Sequence, residues 1–361
     1  MTSAYNKQPV ANEVQTDGPY VQYADGQVLV NYIVEKKGRR LVRSENIGAE
    51  MKESLRLKVM TDIPEKYFQI RLKRQLENEK SEYTGIKKLL ALSDIEGNFG
   101  AFRKLLLANK VIDENFNWTF GEGHLVLIGD FFDRGQQVTE VLWLIYYLEE
   151  KAKAKGGYVH FILGNHEIMN LTGDLRYTPQ KYLDNARLLS EDYMAMYDQN
   201  SELGRWLRTK NITEKIDNII FVHGGISGSV NRLNISLDAI NSTARAHFDK
   251  DFDANDDKAA TIFGDLGPFW YRGYYDRTDR NIQSQIDSTL SQYKVEHIIT
   301  GHTIVADSIS RWYNGRLLDT DVHHAGGKSE ALFIENGKYY RVNAEAIKIF
   351  LMEENAPGIS N

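Results

Sequence analysis

Five short apolar runs, "KLLALSD" (88–94), "HLVLIGD" (124–130), "GYVHFILGN" (157–165), "NIIFVHGG" (218–225) and "VEHIITGH" (295–302), each stop at a polar cluster. Runs of this length, closed by glycine or another turn residue, read as buried strands. Most are followed by helical pattern, and "VTEVLWLIYYLEEKAKAKG" (138–156) is an amphipathic helix ending at glycine. Strands alternating with helices make an α/β protein, in which groups at the carboxyl ends of strands gather along one edge of the sheet. Five polar clusters are therefore expected to converge.

Taken singly, each cluster has an ordinary explanation. Asp94 and Glu96 in "SDIEGN" can start a helix, since Asp and Asn are common N-caps. Asn165 and His166 in "GNHE" can form a satisfied buried turn, and His223 or His302 after a strand can be structural. "GDFFDRG" is harder to reduce to packing, because it sets Asp130 at a strand end, Asp133 three residues on, and Arg134 beside a turn glycine. Taken together, three carboxylates, an amide oxygen and two imidazoles in one place concentrate negative charge that divalent cations would neutralise. The chain has no cysteine, which excludes disulfides and thiolate sites; mixed oxygen and nitrogen ligands suit Mn, Fe, Zn or Mg. One carboxylate shared by two ions would set them roughly 3.5 to 4 Å apart, the spacing used for in-line attack on phosphorus.

In order, "DIE", "GDFFDRG", "GNHE", "HGG" and "GH" resemble the motifs of the calcineurin-like metallophosphoesterases, and of their phosphoprotein-phosphatase branch in particular. "GPFWYRG" (267–273) is similar to a segment of the bacterial Shewanella-like phosphatases. The resemblance spans residues 88–342 and implies a four-layer α/β/β/α sandwich with two mixed β-sheets. It implies Asp94, Glu96 and Asp130 at a first metal and Asp130, Asn165, His223 and His302 at a second, Mn being favoured. It makes His166 the general acid oriented by Asp133, with Arg134 holding phosphoryl oxygens and Arg272 a second clamp. The departure is Glu96, where the family has histidine; glutamate hardens the site and favours Mn or Mg over Zn.

The expected function is hydrolysis of phosphate monoesters, in a phosphoprotein or a small phosphoester, by direct attack of metal-bound hydroxide. A phosphodiesterase or dinucleoside-polyphosphate hydrolase on the same scaffold, and a metal-dependent binding protein that has lost catalysis, are the rival readings. With 44 basic against 50 acidic residues and a formal charge of -6, the surface is not expected to attract nucleic acid or membrane. Without a signal-peptide pattern or a membrane-spanning run, the chain reads as soluble and cytoplasmic.

The remaining expectations concern organisation. Residues 1–87 form a prefix: a mobile polar leader of about 20 residues, a small hairpin or three-stranded sheet over 19–43, and one or two surface helices over 50–82. The catalytic domain runs over 88–345, with helical or loop insertions at 175–216 and 232–292 and an antiparallel closing section turning at Asn336–Gly337, and residues 346–361 are a tail. His124, His160 and His297 are expected in the core or at strand edges, and His323 and His324 in a surface loop.

Overall fold

A computed structural model describes residues 13–249 and 256–354. The apolar runs form β7 to β9, β11 and β12 of a seventeen-strand set among these residues. In chain order the strands are β1 (Val14–Ala24), β2 (Gln27–Lys36), β3 (Arg39–Gly48), β4 (Leu57–Met60), β5 (Tyr67–Ile70), β6 (Glu82–Tyr83), β7 (Lys88–Leu92), β8 (His124–Ile128) and β9 (Tyr158–Ile162). There follow β10 (Thr213–Ile216), β11 (Ile219–Val222), β12 (His297–Thr300), β13 (Ser310–Trp312), β14 (Leu317–Asp319), β15 (Glu330–Glu335), β16 (Lys338–Asn343) and β17 (Lys348–Glu353).

Two six-stranded mixed sheets carry the fold, ordered β17-β16-β15-β7-β8-β9 and β13-β14-β12-β11-β10-β6. Side-chain alternation along each strand explains why there are two. Leu89, Ala91, Val126 and Ile128 of the first sheet pack with Ile219, Phe221, Ile299 and Leu318 of the second in one cluster. Their neighbours Leu90, Leu92, Leu125 and Leu127, and Ile220, Val222 and Ile298 across the molecule, turn outward into the other core. A strand apolar on both faces must be covered on both, here by a sheet and by helices. On the first sheet the covers are α1 (Phe99–Ala108) and α2 (Val138–Lys153), which bury Phe102, Leu105, Leu142 and Ile145. The expected four-layer α/β sandwich is the observed architecture.

The strands β7, β8 and β9 are mutually parallel, and so are β11, β12 and β14. The carboxyl ends of all six meet at one edge, and α3 (Asn165–Thr172) begins there directly after β9. The insertions supply α4 (Gln180–Leu189), α5 (Glu202–Leu207), α7 (Leu237–Ala246), α8 (Asp257–Phe263) and α9 (Ile282–Tyr293), and α6 (Gly228–Arg232) leads into the second of them. The first insertion ends in a strand, since β10 pairs antiparallel with β11. The closing hairpin turns at Asn336–Gly337 as expected, both residues at positive φ (50° and 75°) in the sense that suits a two-residue turn.

The prefix differs from expectation in two places, and the tail in one. The leader ends early: β1 starts at Val14 and joins β2 and β3 in an antiparallel sheet, while residues 1–12 lie outside the described residues. In place of surface helices, residues 50–82 hold one short 3-10 helix (Ala49–Ser54), the hairpin β4–β5 and β6, which pairs with β10. The Lys- and Glu-rich composition masks a period of two, with Leu57, Val59, Phe68 and Ile70 buried and the residues between them more exposed. The expected tail likewise contributes β17, which pairs with β16; residues 355–361 lie outside the described residues. His124, His160 and His297 are buried, as expected, but so is His324, with neither ring nitrogen hydrogen-bonded, and burial lowers its pKa to about 4. Only His323 of that pair is exposed.

The N-terminal sheet is seated on α2, where the fully buried Trp143 donates its indole N–H to Pro19 O (2.8 Å). Trp143→Ala should therefore lower the free energy of urea unfolding by about 3–5 kcal/mol. A loss below about 1 kcal/mol would show that this joint is not part of the folded unit.

Candidate active site

The six strand ends set the site. Asp94 follows β7, its amide donating to Gly129 O (3.0 Å) and its Oδ2 accepting from the His302 amide (3.1 Å). Asp130 follows β8 and receives the His166 amide on Oδ1 (2.9 Å), with Oδ2 3.0 Å from His223 Nε2 and 3.7 Å from His166 Nε2. Gly129 between them has φ of 81°, and a Cβ there would lie 2.6 Å from both the Gly164 backbone and His223 Nδ1, so only glycine fits. Asp94, Glu96, Asp130, Asp133, Arg134 and His302 all have positive φ. Such backbone is costly for ordinary residues, and its concentration at these strand ends marks a site held in place by its surroundings.

Much of that holding comes from Glu167, fully buried at the start of α3, which the sequence reading did not single out. Its carboxylate accepts the amides of Asp130 (2.9 Å), Phe131 (2.7 Å), Phe132 (3.3 Å) and Gly164 (2.7 Å). Asp133 Oδ2 meets His166 Nδ1 at 2.6 Å, while its Oδ1 accepts from Asn170 (2.9 Å) and Thr178 (3.1 Å). His223 donates Nδ1–H to Ile128 O (2.7 Å), which leaves Nε2 facing Asn165 Oδ1 (3.1 Å) and Asp130. The His302 ring stands 4.9 Å from that of His223.

All six proposed ligands and His166, Asp133 and Arg134 come together. Arg134 is half exposed, is paired with Glu96, and stands 5.3 Å from the ring centroid of Tyr177, which also lies 5.2 Å from the His166 ring. Arg272 sits at the rim, its guanidinium donating to His302 O (2.5 Å) and Thr303 Oγ1 (3.1 Å), contacts that hold the His302 loop. Tyr177 was missed because a lone aromatic in a polar insertion carries no motif. Asp321, buried beside the site, was missed because β14 is only three residues long.

The donor set fits divalent cations. Ligand atoms of Asp130, His223 and His302 lie within 4.8 Å of one another, and so do those of Glu96, Asp130 and His166, so Asp130 belongs to both groups. Burial, reinforced by acidic neighbours, raises Glu96 to about 8; burial also raises Asp94 to about 6, the Asp130 charge adding to it and the His223 imidazole opposing it. Asp130 shows the opposite balance: burial would raise it, but the His223 and His166 imidazoles hold it well below the usual carboxylate range. For His166, burial opposes protonation, yet Asp130 and Asp133 raise the ring to about 9. The protein thus gathers more acid than its own cations neutralise, the condition that a bound metal relieves.

This fold with this donor set defines a class, the phosphoester hydrolases built on twin mixed sheets. A family model described as calcineurin-like phosphoesterase matches residues 87–306. The crystal structure of a cold-active protein-tyrosine phosphatase from a psychrophilic Shewanella species superposes with a TM-score of 0.82 at 35% identity, covering 93% of this chain and 99% of that one. Shewanella-like protein phosphatase 1 of Plasmodium berghei is 28% identical over 239 residues, 62% of this chain and 64% of the relative, so the match spans slightly under two thirds of that protein. Shewanella-like protein phosphatase 2 of Arabidopsis thaliana is 23% identical over 290 residues, 68% of this chain and 73% of the relative. The chain belongs to the calcineurin-like phosphoesterase family, a family of hydrolases whose members use divalent metals. Among the described residues no helix is long and apolar enough to cross a membrane.

Glu167 supports a testable claim about this site. Glu167→Ala leaves four buried amides without their acceptor, at roughly 1–3 kcal/mol for each buried unsatisfied group. Urea unfolding should show a loss of at least about 3 kcal/mol, and a smaller one would mean that the Asp130–Asp133 loop is held by other contacts.

Proposed function

We propose that this chain is a divalent-metal-dependent phosphatase acting on phosphate monoesters, with phosphotyrosine-bearing protein as its substrate class. Asp94, Glu96 and Asp130 would hold one cation, and Asp130, Asn165, His223 and His302 the other, with Mn favoured by the oxygen-rich first set. When bound, such ions supply Lewis-acid activation of water and neutralise phosphoryl charge.

The observation that carries the reading is the His166–Asp133 pair, a proton donor held at 2.6 Å by a carboxylate beside the acidic cluster. A site that only binds metal has no use for it. Asp133 accepts at Nδ1, which leaves the Nε2 proton for the departing oxygen of the ester. Arg134 binds phosphoryl oxygens, and must exchange its pairing with Glu96 to do so. Tyr177, exposed and close to both His166 and Arg134, offers a face on which a phosphorylated phenol ring can stack. The phosphotyrosine assignment also rests on the near-full-length similarity to the Shewanella protein-tyrosine phosphatase.

A panel of p-nitrophenyl phosphate, bis-p-nitrophenyl phosphate and phosphotyrosine or phosphoserine peptides, each with Mn and with chelator, tests this. Turnover of the monoesters, lost with chelator and greatest for the phosphotyrosine peptide, is expected; turnover of the diester alone would overturn the reading. The acid role predicts a direction in pH. With His166 raised to about 9, the donating form persists through neutral pH and is lost as pH rises through that value. Asp133→Asn removes one of the charges that raises it, so the alkaline limb of kcat should move to lower pH, with kcat reduced roughly 100-fold. An unchanged limb would count against His166 as the donor.

A further inference from the structure

Asparagine is an uncommon choice inside a helix, because its side chain competes for backbone groups and so favours caps and turns. Asn170 nevertheless lies within α3, one turn after His166 on the same face, and is fully buried. Its amide has two donor hydrogens and an oxygen with two lone pairs, and all are used. Nδ2 donates to His166 O (2.8 Å) and to Asp133 Oδ1 (2.9 Å). Oδ1 accepts from the hydroxyl of Tyr193 (2.5 Å) and from that of Thr178 (3.3 Å), whose proton is shared with Asp133 Oδ1 (3.1 Å).

These contacts close a ring. Asp133 Oδ2 meets His166 Nδ1 at 2.6 Å, Asp133 Oδ1 meets Asn170, and Asn170 returns to the backbone of His166. Asp133 itself stands in a turn at positive φ (68°), outside any helix or strand that would orient it. A carboxylate held by one oxygen can swing about its Cβ–Cγ bond, whereas one held by both has a single plane, and that plane sets the direction of the imidazole bonded to it. At the other end of the amide, Tyr193, from a 3-10 turn (Tyr193–Met196) of the first insertion, braces Asn170.

We propose that Asn170 is a positioning residue for the proton donor: by fixing the Asp133 carboxylate through the oxygen that His166 leaves free, it aims His166 Nε2 at the departing oxygen of the ester. This rests on the reading of His166 as general acid. As the P–O bond breaks, the Nε2 proton passes to the leaving oxygen and His166 keeps its Nδ1 proton on Asp133. Asn170 supplies alignment only, and alignment matters most where proton transfer limits the step. A leaving group that departs readily as an anion has little need of that proton, whereas a phenol, the leaving group of phosphotyrosine, depends on it.

The test compares phenyl phosphate, with a poor leaving group, and 2,4-dinitrophenyl phosphate, with a good one, in steady-state kinetics with Mn for wild type, His166→Asn, Asn170→Ala and Tyr193→Phe. Asn170→Ala should lower kcat at least about tenfold for the phenyl ester and less than about threefold for the dinitrophenyl ester, with KM within about threefold of wild type for both. Tyr193→Phe, which removes a single hydroxyl, should show the same split at about threefold. An unchanged kcat in Asn170→Ala, or an equal loss on both esters, where His166→Asn does discriminate between them, would overturn the inference alone. Equal loss on both esters in His166→Asn would overturn the donor role and this inference with it, and no turnover of either ester by wild type would overturn the phosphatase reading. If circular dichroism shows that Asn170→Ala does not fold, Tyr193→Phe decides: the split supports the inference, and equal effects on the two esters overturn it.

Discussion

The carboxylate of Glu167, buried and accepting four backbone amides, is the contact on which the rest of the site depends. It ties the turn after β8 to the turn after β9, and so fixes Asp130 and Asp133 relative to Asn165 and His166. Without it, residues held at positive φ would relax toward ordinary backbone, and the 2.6 Å pairing of Asp133 with His166 would lose its alignment. The interaction is directional and fully desolvated, which is why one side chain can hold two strand ends in register.

Charge is the second constraint. Asp94, Glu96, Asp130, Asp133 and Asp321 are gathered where His166, His223 and Arg134 are the nearest counter-charges, and the raised carboxyls show that these do not suffice. The fold tolerates this because stability resides elsewhere. The two sheets share an apolar interface of Leu, Ile, Val and Phe side chains, and helices cover both outer faces. At some distance from these turns, the buried Lys210 bridges Glu79 and Glu149 at 2.7 Å each, an ion network fully matched in partners. A rigid scaffold whose stability does not depend on the acids gathered at one edge is the arrangement that leaves binding energy available to a cation.

Most of this was legible where sequence and structure share a period. The five apolar runs became β7, β8, β9, β11 and β12, and the residues that stop them are the ones at the site, because a strand end fixes where the next side chain points. Residues 50–82 were misread because Lys, Glu and Arg on the exposed positions hide the alternation of Leu57, Val59, Phe68 and Ile70. Glu167 closes the "GNHE" motif but was given no role there, because it acts only through backbone amides. Asp321 was missed for a topological reason: the three-residue β14 carries no periodic signal, and only its pairing with β12 brings its end to the others. His324 followed the same error, placed at the surface because the strand before it went unrecognised.

The central proposal is that Asp130 is shared between two cation positions, a reading its place in both groups of potential ligand atoms supports. Metal content of Asp130→Asn, measured by inductively coupled plasma mass spectrometry after loading with Mn and removal of excess, tests it most directly. Loss of both ions from a folded Asp130→Asn protein, where His302→Ala loses one, is the predicted result. Retention of one tightly held ion in Asp130→Asn would contradict a shared ligand.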